Sequence, residues 1–489
     1  MIFNSVTFVL FLLLTVALYW ILPRRPRLWT LFTASLVFYG FWRVEFLTLV
    51  LFSTVLDYTI SLKIGQTPKD QHCKRKQLLI LSLCLNLGLL FVFKYLFFFA
   101  DNAVGLLNLI GVDFEMAHFS IILPLGISFY TFQTISYTVD VYRGHLEPIK
   151  EFPLYATYVL YYPQLVAGPI LRAQEVTGQL SSRPSFQLNF LSEGIQRVLY
   201  GFFLKVVLAD SIAPLVDEVY AVDAHDLGGI DVLTIAFLFG FQIYFDFAGY
   251  SHIAIGCAKL MGINFPENFN YPYAASSLKS FWKRWHISLS SWIRDYLYLP
   301  LTGAVVQKAQ AKSVGGLNSV VKESTNKKSI ALFLTWAIMG LWHGASWTFV
   351  FWGIYHSTLI FLERKLSKTR NSLRLLKTPF VGWLITLTVV MLGWLPFRAQ
   401  TMNDVMIMYS KLFNVSSFFA RAFRENTYLV VFLLFLLVTV SYLCDRYLRR
   451  ALEKSLVLNW TFNTLKYTTV IILVYIFFRP INQFIYFQF

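Results

Sequence analysis

Three ionisable side chains stand where their surroundings make chemistry a question: His343, His286 and Asp246. His343 lies in Gly340-Leu341-Trp342-His343-Gly344, within a run from Ser329 to Leu362 that contains no Asp, Glu, Lys or Arg. Such a run reads as membrane-embedded. As one helix it would be about 50 Å long, against a hydrocarbon core of about 30 Å. Two full spans with a turn would need about 40 residues. The simplest solution is two short helices that meet inside the membrane, with His343 and its flanking glycines at the junction. Broken backbone at that depth is tolerated where it is buried in protein or faces a water-filled cavity. An ionisable residue held there is a functional candidate, and an imidazole can take up or release a proton near neutral pH. The alternative is a packing histidine, hydrogen-bonded to a neighbouring carbonyl.

His286 belongs to residues 279–300. At about 100° per residue, Trp282, Trp285, Leu289, Trp292, Ile293 and Tyr296 share one face, with Lys279, Lys283, Arg284, Ser291 and Arg294 mostly opposite. This predicts one amphipathic helix in the cytoplasmic membrane interface, anchored by Trp and basic residues. His286 falls at the edge of its apolar arc, where it either serves a site or points to water. Asp246, in Tyr244-Phe245-Asp246-Phe247, is an intramembrane carboxylate that needs a partner. A Tyr hydroxyl, Lys or Arg as structural partner and a catalytic role are both open.

The elements that must position these groups are apolar helices. The chain has 489 residues, 57% apolar and 14% charged, with mean hydropathy +0.57. That composition excludes an ordinary soluble domain and fits an all-α polytopic membrane protein in one membrane-embedded domain, residues 1–489. Its 13 Trp, 27 Tyr and 48 Phe exceed what interfacial belts need, so many must pack between helices or line a cavity. The net charge of +16 comes largely from short loops, which points to the positive-inside rule and a membrane surface rather than to nucleic acid. None of the four cysteines forms a CxxC pair, so neither a disulfide nor a metal site is expected.

Twelve apolar runs fall near 5–22, 28–42, 46–62, 77–99, 119–139, 152–171, 191–209, 233–257, 330–362, 380–397, 427–444 and 465–478. The first lacks a basic leader and a small-residue cleavage site, and reads as a retained span. Loop 63–76 carries Lys63, Lys69, Lys74, Arg75 and Lys76 and reads cytoplasmic, as do the basic segments 308–328, 363–377 and 446–454. Loop 101–120, with Asp101, Asp113 and Glu115, and loop 210–231, with six acidic residues, read external. The N-terminus is then outside, with Arg479-Pro480 ending the last span. This parity requires two runs that enter and leave on one side. They are 330–362 and 152–171, where Pro163 and Pro169 forbid a straight helix.

The chain resembles the bacterial alginate O-acetylation branch of the membrane-bound O-acyltransferase family. The matching tracts are Pro124-Leu125-Gly126-Ile127-Ser128-Phe129-Tyr130, Val139-Asp140-Val141-Tyr142-Arg143-Gly144, Leu165-Val166-Ala167-Gly168-Pro169 and Tyr244-Phe245-Asp246-Phe247. Phe281-Trp282-Lys283-Arg284-Trp285-His286-Ile287-Ser288-Leu289, Arg294-Asp295-Tyr296-Leu297-Tyr298 and Gly340-Leu341-Trp342-His343-Gly344 complete the set, in order, over residues 1–400. The resemblance implies a ring of tilted and re-entrant helices around a central tunnel. His343 would be the catalytic histidine and His286 the second active-site position.

It further implies a multi-pass protein of the bacterial inner membrane that takes acetyl from a cytosolic donor, acetyl-CoA, with no bound cofactor. The acetyl would pass outward to a partner acetyltransferase that modifies an extracytoplasmic polysaccharide such as alginate, peptidoglycan or cellulose. Lys283, Arg284, Arg294 and Trp285 are candidates for donor binding, although basic residues on an interfacial helix also serve as lipid-headgroup anchors. Trp342, Asp246, Tyr250 and Asp295 are candidates for the tunnel lining. His343 would act as general base on the acceptor hydroxyl or carry the acetyl covalently, and His286 would orient the thioester or assist the leaving group. Competing readings are D-alanyl transfer from a carrier protein to teichoic acid, a secondary transporter built on broken helices, and an inert scaffold.

Overall fold

A computed structural model describes the chain except residues 115, 117–120, 167, 183, 307–320, 323–326, 373–377, 449–453 and 479–489. Glu115, Ala167, Arg479-Pro480 and most of the basic 308–328 segment therefore lie outside the described residues. Among the described residues the regular structure is helical, apart from a two-residue antiparallel ladder pairing Val305 with Lys322 and Val306 with Val321. Among the described residues six helices are long and apolar enough to cross a membrane: Val44–Gln66, His72–Leu109, Leu188–Tyr220, Gly229–Leu260, Pro379–Arg398 and Glu425–Leu448. The protein is thus a multi-pass membrane protein, and its backbone divides into two units.

The first unit comprises Met1–Val198, Ile253–Pro266 and Val305–Lys322. It contains α1 (Val6–Ile21), α2 (Arg24–Gly40), α3 (Leu47–Gln66) and α4 (His72–Leu90), which continues through a wide turn at Phe91–Tyr95 into α5 (Leu96–Leu109). Next come α6 (Ile127–Arg143), α7 (Phe152–Leu160), α8 (Tyr162–Leu165) and α9 (Ala173–Ser181). Because these helices are apolar on many faces, buried polar groups fix how they pair. Asp57 on α3 accepts from Ser82 Oγ (2.5 Å) and Asn86 Nδ2 (2.7 Å) on α4, and Asn86 Oδ1 accepts from Thr134 Oγ1 of α6 (3.3 Å). Arg75 donates to the Ile64 and Thr67 carbonyls at the end of α3 and to Tyr142 at the end of α6, a cation placed at two negative helix ends.

The 152–171 run breaks as its prolines require. Pro163 has no N–H for the Val159 carbonyl, so α7 stops at Leu160, Tyr161 is extended in ψ, and α8 restarts for one turn. Gly126 abuts this turn at φ +69°, where a Cβ would lie 2.3 Å from the Leu165 carbonyl oxygen, so no other residue fits there.

The second unit comprises Leu199–His252, Glu267–Ala304 and Glu323–Phe489. Helix α10 (Leu188–Phe202) ends here and runs through Phe203–Ala209 into α11 (Asp210–Tyr220); α12 (Gly229–Leu260) follows. α12 is predominantly apolar and mostly buried. The 330–362 run breaks where expected. α16 (Lys328–His343) stops at His343, and α17 begins at Trp347. The second piece is not short, because α17 carries on past Glu363 to Ser372. α18 (Pro379–Leu392), α19 (Leu395–Arg398), α20 (Met402–Lys411), α21 (Glu425–Leu443) and α22 (Leu456–Phe477) complete the unit.

Residues 279–300 differ from expectation. They form α13 (Leu278–Trp282), a turn, α14 (Ile287–Ile293), a wide turn at Arg294–Tyr298 and the three-residue α15 (Leu299–Leu301), not one amphipathic helix. The break falls on His286, whose φ of +41° is left-handed. A non-glycine residue there is strained and has to be held by its surroundings.

Candidate active site

His343 is the last residue of α16. Gly344 follows in extended conformation, and Ser346 opens α17 by accepting from the Thr348 N–H (3.2 Å). α16 and α17 are in backbone contact because Gly340 faces Phe349 and Gly353 faces Trp336. That approach presses the imidazole into a wall of rings. Trp342, Trp352 and Phe397 stand at 4.9, 5.0 and 5.1 Å between centroids, each closer to perpendicular than to stacked. His343 is 5% exposed.

His286 is held differently. The segment Asn268–Asn270 is tied to Arg284–Ile287 through Asn270 N–H to Arg284 O (3.0 Å) and Ile287 N–H to Asn268 O (2.9 Å). Inside that clamp the Asn268 side-chain oxygen accepts from Ser288 Oγ (2.9 Å) and the Ser288 N–H (3.3 Å) and lies 3.0 Å from His286 Nδ1. Asn268 Nδ2 donates to Ser251 Oγ on α12 (3.0 Å). The imidazole lies edge-on to Phe247 at 4.6 Å and near Phe269 at 6.4 Å. Burial pushes it down to about 3, so it is neutral at physiological pH.

A chain of rings joins the two histidines. Phe269 meets Trp285 at 5.1 Å, Trp285 meets Trp394 at 4.8 Å, Trp394 meets Trp352 at 6.1 Å, and Trp352 meets His343. Trp285 is therefore a buried link in this chain, and Trp342 shares the His343 wall. Lys283 is exposed, Arg284 reaches the Asn270 carbonyl at 3.5 Å, and Arg294 is ion-paired with buried Asp295 at 2.6 Å. Asp246 and Tyr250 gather elsewhere on α12. Lys205 pairs with Asp246 (2.5 Å) and Asp210 (2.8 Å), and its ammonium lies 5.4 Å from the Tyr250 ring centroid. Asp246 thus has the structural Lys partner that was one of its two readings.

Sequence reasoning missed Asn268, Trp352, Trp394 and Phe397. Asn268 sits in Asn268-Phe269-Asn270-Tyr271-Pro272, which reads as a turn. The aromatic excess was a signal for the other three, but it names no position.

Comparison with known proteins identifies the family. The sequence profile of MBOAT, the membrane-bound O-acyltransferase family, matches residues 36–403, which include both histidines. "Probable alginate O-acetylase AlgI" of Azotobacter vinelandii is 39% identical over 422 residues, covering 85% of this chain and 78% of that protein. "Peptidoglycan O-acetyltransferase" of Helicobacter pylori is 35% identical, covering 78% and 73%. "Teichoic acid D-alanyltransferase" of Streptococcus thermophilus is 31% identical, covering 58% and 69%. The chain belongs to the membrane-bound O-acyltransferase family. It is an acyltransferase.

Proposed function

We propose that the protein takes acetyl from cytosolic acetyl-CoA and passes it across the inner membrane for O-acetylation of an extracytoplasmic polysaccharide. Two similarities support acetyl over D-alanyl: the O-acetylase and O-acetyltransferase relatives cover 85% and 78% of the chain, the D-alanyl relative 58%. The observation that carries the site assignment is His343, buried among rings at a helix break within the matched region.

In this reading His343 and His286 are the two active-site imidazoles. His343 takes the proton of the acceptor hydroxyl while its oxygen attacks the thioester carbonyl carbon. The C–S bond breaks, and the proton leaves with the thiol. In the covalent variant a ring nitrogen of His343 receives the acetyl first and the hydroxyl then displaces it. The breaks at 152–171 and 330–362 are re-entrant, and the tunnel passes Trp342, Tyr250, Asp246 and Asp295. Lys283 and Arg284 approach the CoA phosphates from the cytoplasmic side, with Trp285 packed behind them. Arg294 contributes less, since Asp295 already neutralises it. The N-terminus lies outside, where a partner acetyltransferase receives the acetyl.

The test is transfer from radiolabelled acetyl-CoA to purified protein or to a supplied acceptor, comparing wild type, His343→Ala and His286→Ala. Loss of transfer in a folded His343→Ala protein supports the assignment, and wild-type transfer by that variant removes it. A second reading rests on the teichoic acid relative: transfer from a D-alanyl carrier thioester but not from acetyl-CoA would establish it.

A further inference from the structure

The contacts of Asn268 determine which nitrogen of His286 carries hydrogen. The Ser288 N–H can only donate, so the Asn268 side-chain atom facing it at 3.3 Å has to be the oxygen. The same oxygen faces His286 Nδ1 at 3.0 Å. An amide oxygen only accepts, so Nδ1 carries the hydrogen, and Nε2 in the neutral ring is a bare lone pair. Nε2 is buried without a hydrogen-bond partner among the described residues, in a side chain that is 2% exposed. A buried acceptor without a donor is costly, and the left-handed backbone of His286 adds strain. Neither is needed merely to fill space between Phe247 and Phe269. Both make sense if a ligand atom arrives opposite Nε2.

We infer that Asn268 is a positioning residue that holds His286 as the Nδ1–H tautomer, so that Nε2 meets the reacting groups as a hydrogen-bond acceptor only. This rests on the proposed placement of His286 in the active site. It has a chemical consequence. The atom opposite Nε2 must bring a hydrogen, which the thioester carbonyl lacks, and it is not the single hydroxyl hydrogen that His343 takes. His286 therefore anchors a hydrogen-bearing group of the donor or acceptor beside the reacting atoms. It does not polarise the carbonyl.

The ring's neutrality is consistent with its neighbours. Its packing partners are the Asn268 amide, Phe247 on α12 and Phe269. Of the charged side chains adjacent in sequence, Asp246 is paired with Lys205, Glu267 and Lys283 are exposed, and Arg284 turns to the Asn270 carbonyl.

Two variants of the full-length protein test the inference. Asn268→Asp keeps an oxygen for Nδ1–H and Ser288 but adds a negative charge beside the ring, which favours the imidazolium. Asn268→Leu removes the acceptor and frees the tautomer. Solid-state 15N NMR of imidazole-labelled protein, with His286→Gln to assign the resonance, reads the two nitrogens directly. Wild type should show a bare Nε2 from about pH 8 to about pH 5. Asn268→Asp should take up a proton at His286 within that range and raise the acid limb of its pH–rate profile by one unit or more. Asn268→Leu should show a mixed Nδ1–H and Nε2–H population and lose about tenfold or more in turnover at every pH.

A wild-type Nε2–H resonance, a tautomer unchanged in Asn268→Leu, or a pH profile unmoved in a folded Asn268→Asp protein would each overturn the inference. A bare Nε2 together with a fully active His286→Gln variant would instead remove His286 from the active site and leave the tautomer lock standing.

Discussion

Gly353→Ala probes the close approach that sets His343 in place. A Cβ built on Gly353 would lie 2.1 Å from the Trp336 carbonyl oxygen, 2.8 Å from its carbon and 3.3 Å from Ala337 Cα. All three are helix backbone, so no flexible side chain can swing aside. Normal contact lies beyond about 3.4 Å, so α17 must retreat from α16 by about 1 Å or distort. Overpacking of this kind costs about 1–3 kcal/mol, and a displacement of about 1 Å in a catalytic group can cost on the order of 100-fold in rate. The variant should therefore lower the apparent melting temperature in detergent by several degrees and slow transfer by at least tenfold while remaining folded. Gly88→Ala is the control: nothing lies within 4 Å of its Cβ in the last turn of α4, where the chain stays helical into Phe91–Tyr95, so it should be neutral or gain up to about 0.5–1 kcal/mol. Should Gly353→Ala melt and transfer like Gly88→Ala, the backbone contact between α16 and α17 does not position His343.

Lys205→Met leaves the Asp246 and Asp210 carboxylates buried without their ammonium, at a cost of about 3–5 kcal/mol; the triple variant with Asp246→Asn and Asp210→Asn should recover most of the melting temperature. His286 is held near 3 when folded and returns to about 6.5 when unfolded. Below about pH 6.5 the unfolded chain gains a proton that the native protein refuses. Stability should thus fall as pH drops from about 6.5 toward 3, by up to about 1.4 kcal/mol per unit, and His286→Gln should flatten that slope in melts at about pH 7 and pH 5. Arg75→Met removes the cation that joins the carbonyl ends of α3 and α6. It should cost about 1–3 kcal/mol, seen as a lower melting temperature with transfer retained in the protein that stays folded.

Helix placement was legible in the sequence because bilayer-scale apolar runs carry their own length signal. The breaks at Tyr161 and at His343–Gly344 were legible too, one from proline and one from a charge-free run of unsuitable length. The break inside 279–300 was hidden. Lys283-Arg284-Trp285-His286 contains neither glycine nor proline, and its periodicity suits a helix until Asn268, 18 residues upstream, captures His286 and Ser288. A tertiary hydrogen bond there overrides local propensity. For Asp246 the sequence demanded a partner and allowed Lys, while the particular residue, Lys205, depends on how α12 meets the turn at Phe203–Ala209. The aromatic wall around His343 was visible only as an excess of rings, since centroid distances depend on three separate helices.

That wall is also an optical device. Trp285, Trp394, Trp352, Trp336 and Trp282 follow one another at centroid separations of 4.6–6.1 Å, near enough for their excited states to couple and for excitation to migrate from ring to ring. Trp352 at the centre touches His343, and a protonated imidazole quenches indole emission. The intrinsic near-ultraviolet spectrum of this protein is therefore weighted toward its candidate active site. A donor, an acceptor or a shift of α17 should register as a change in circular dichroism and emission, with no label attached.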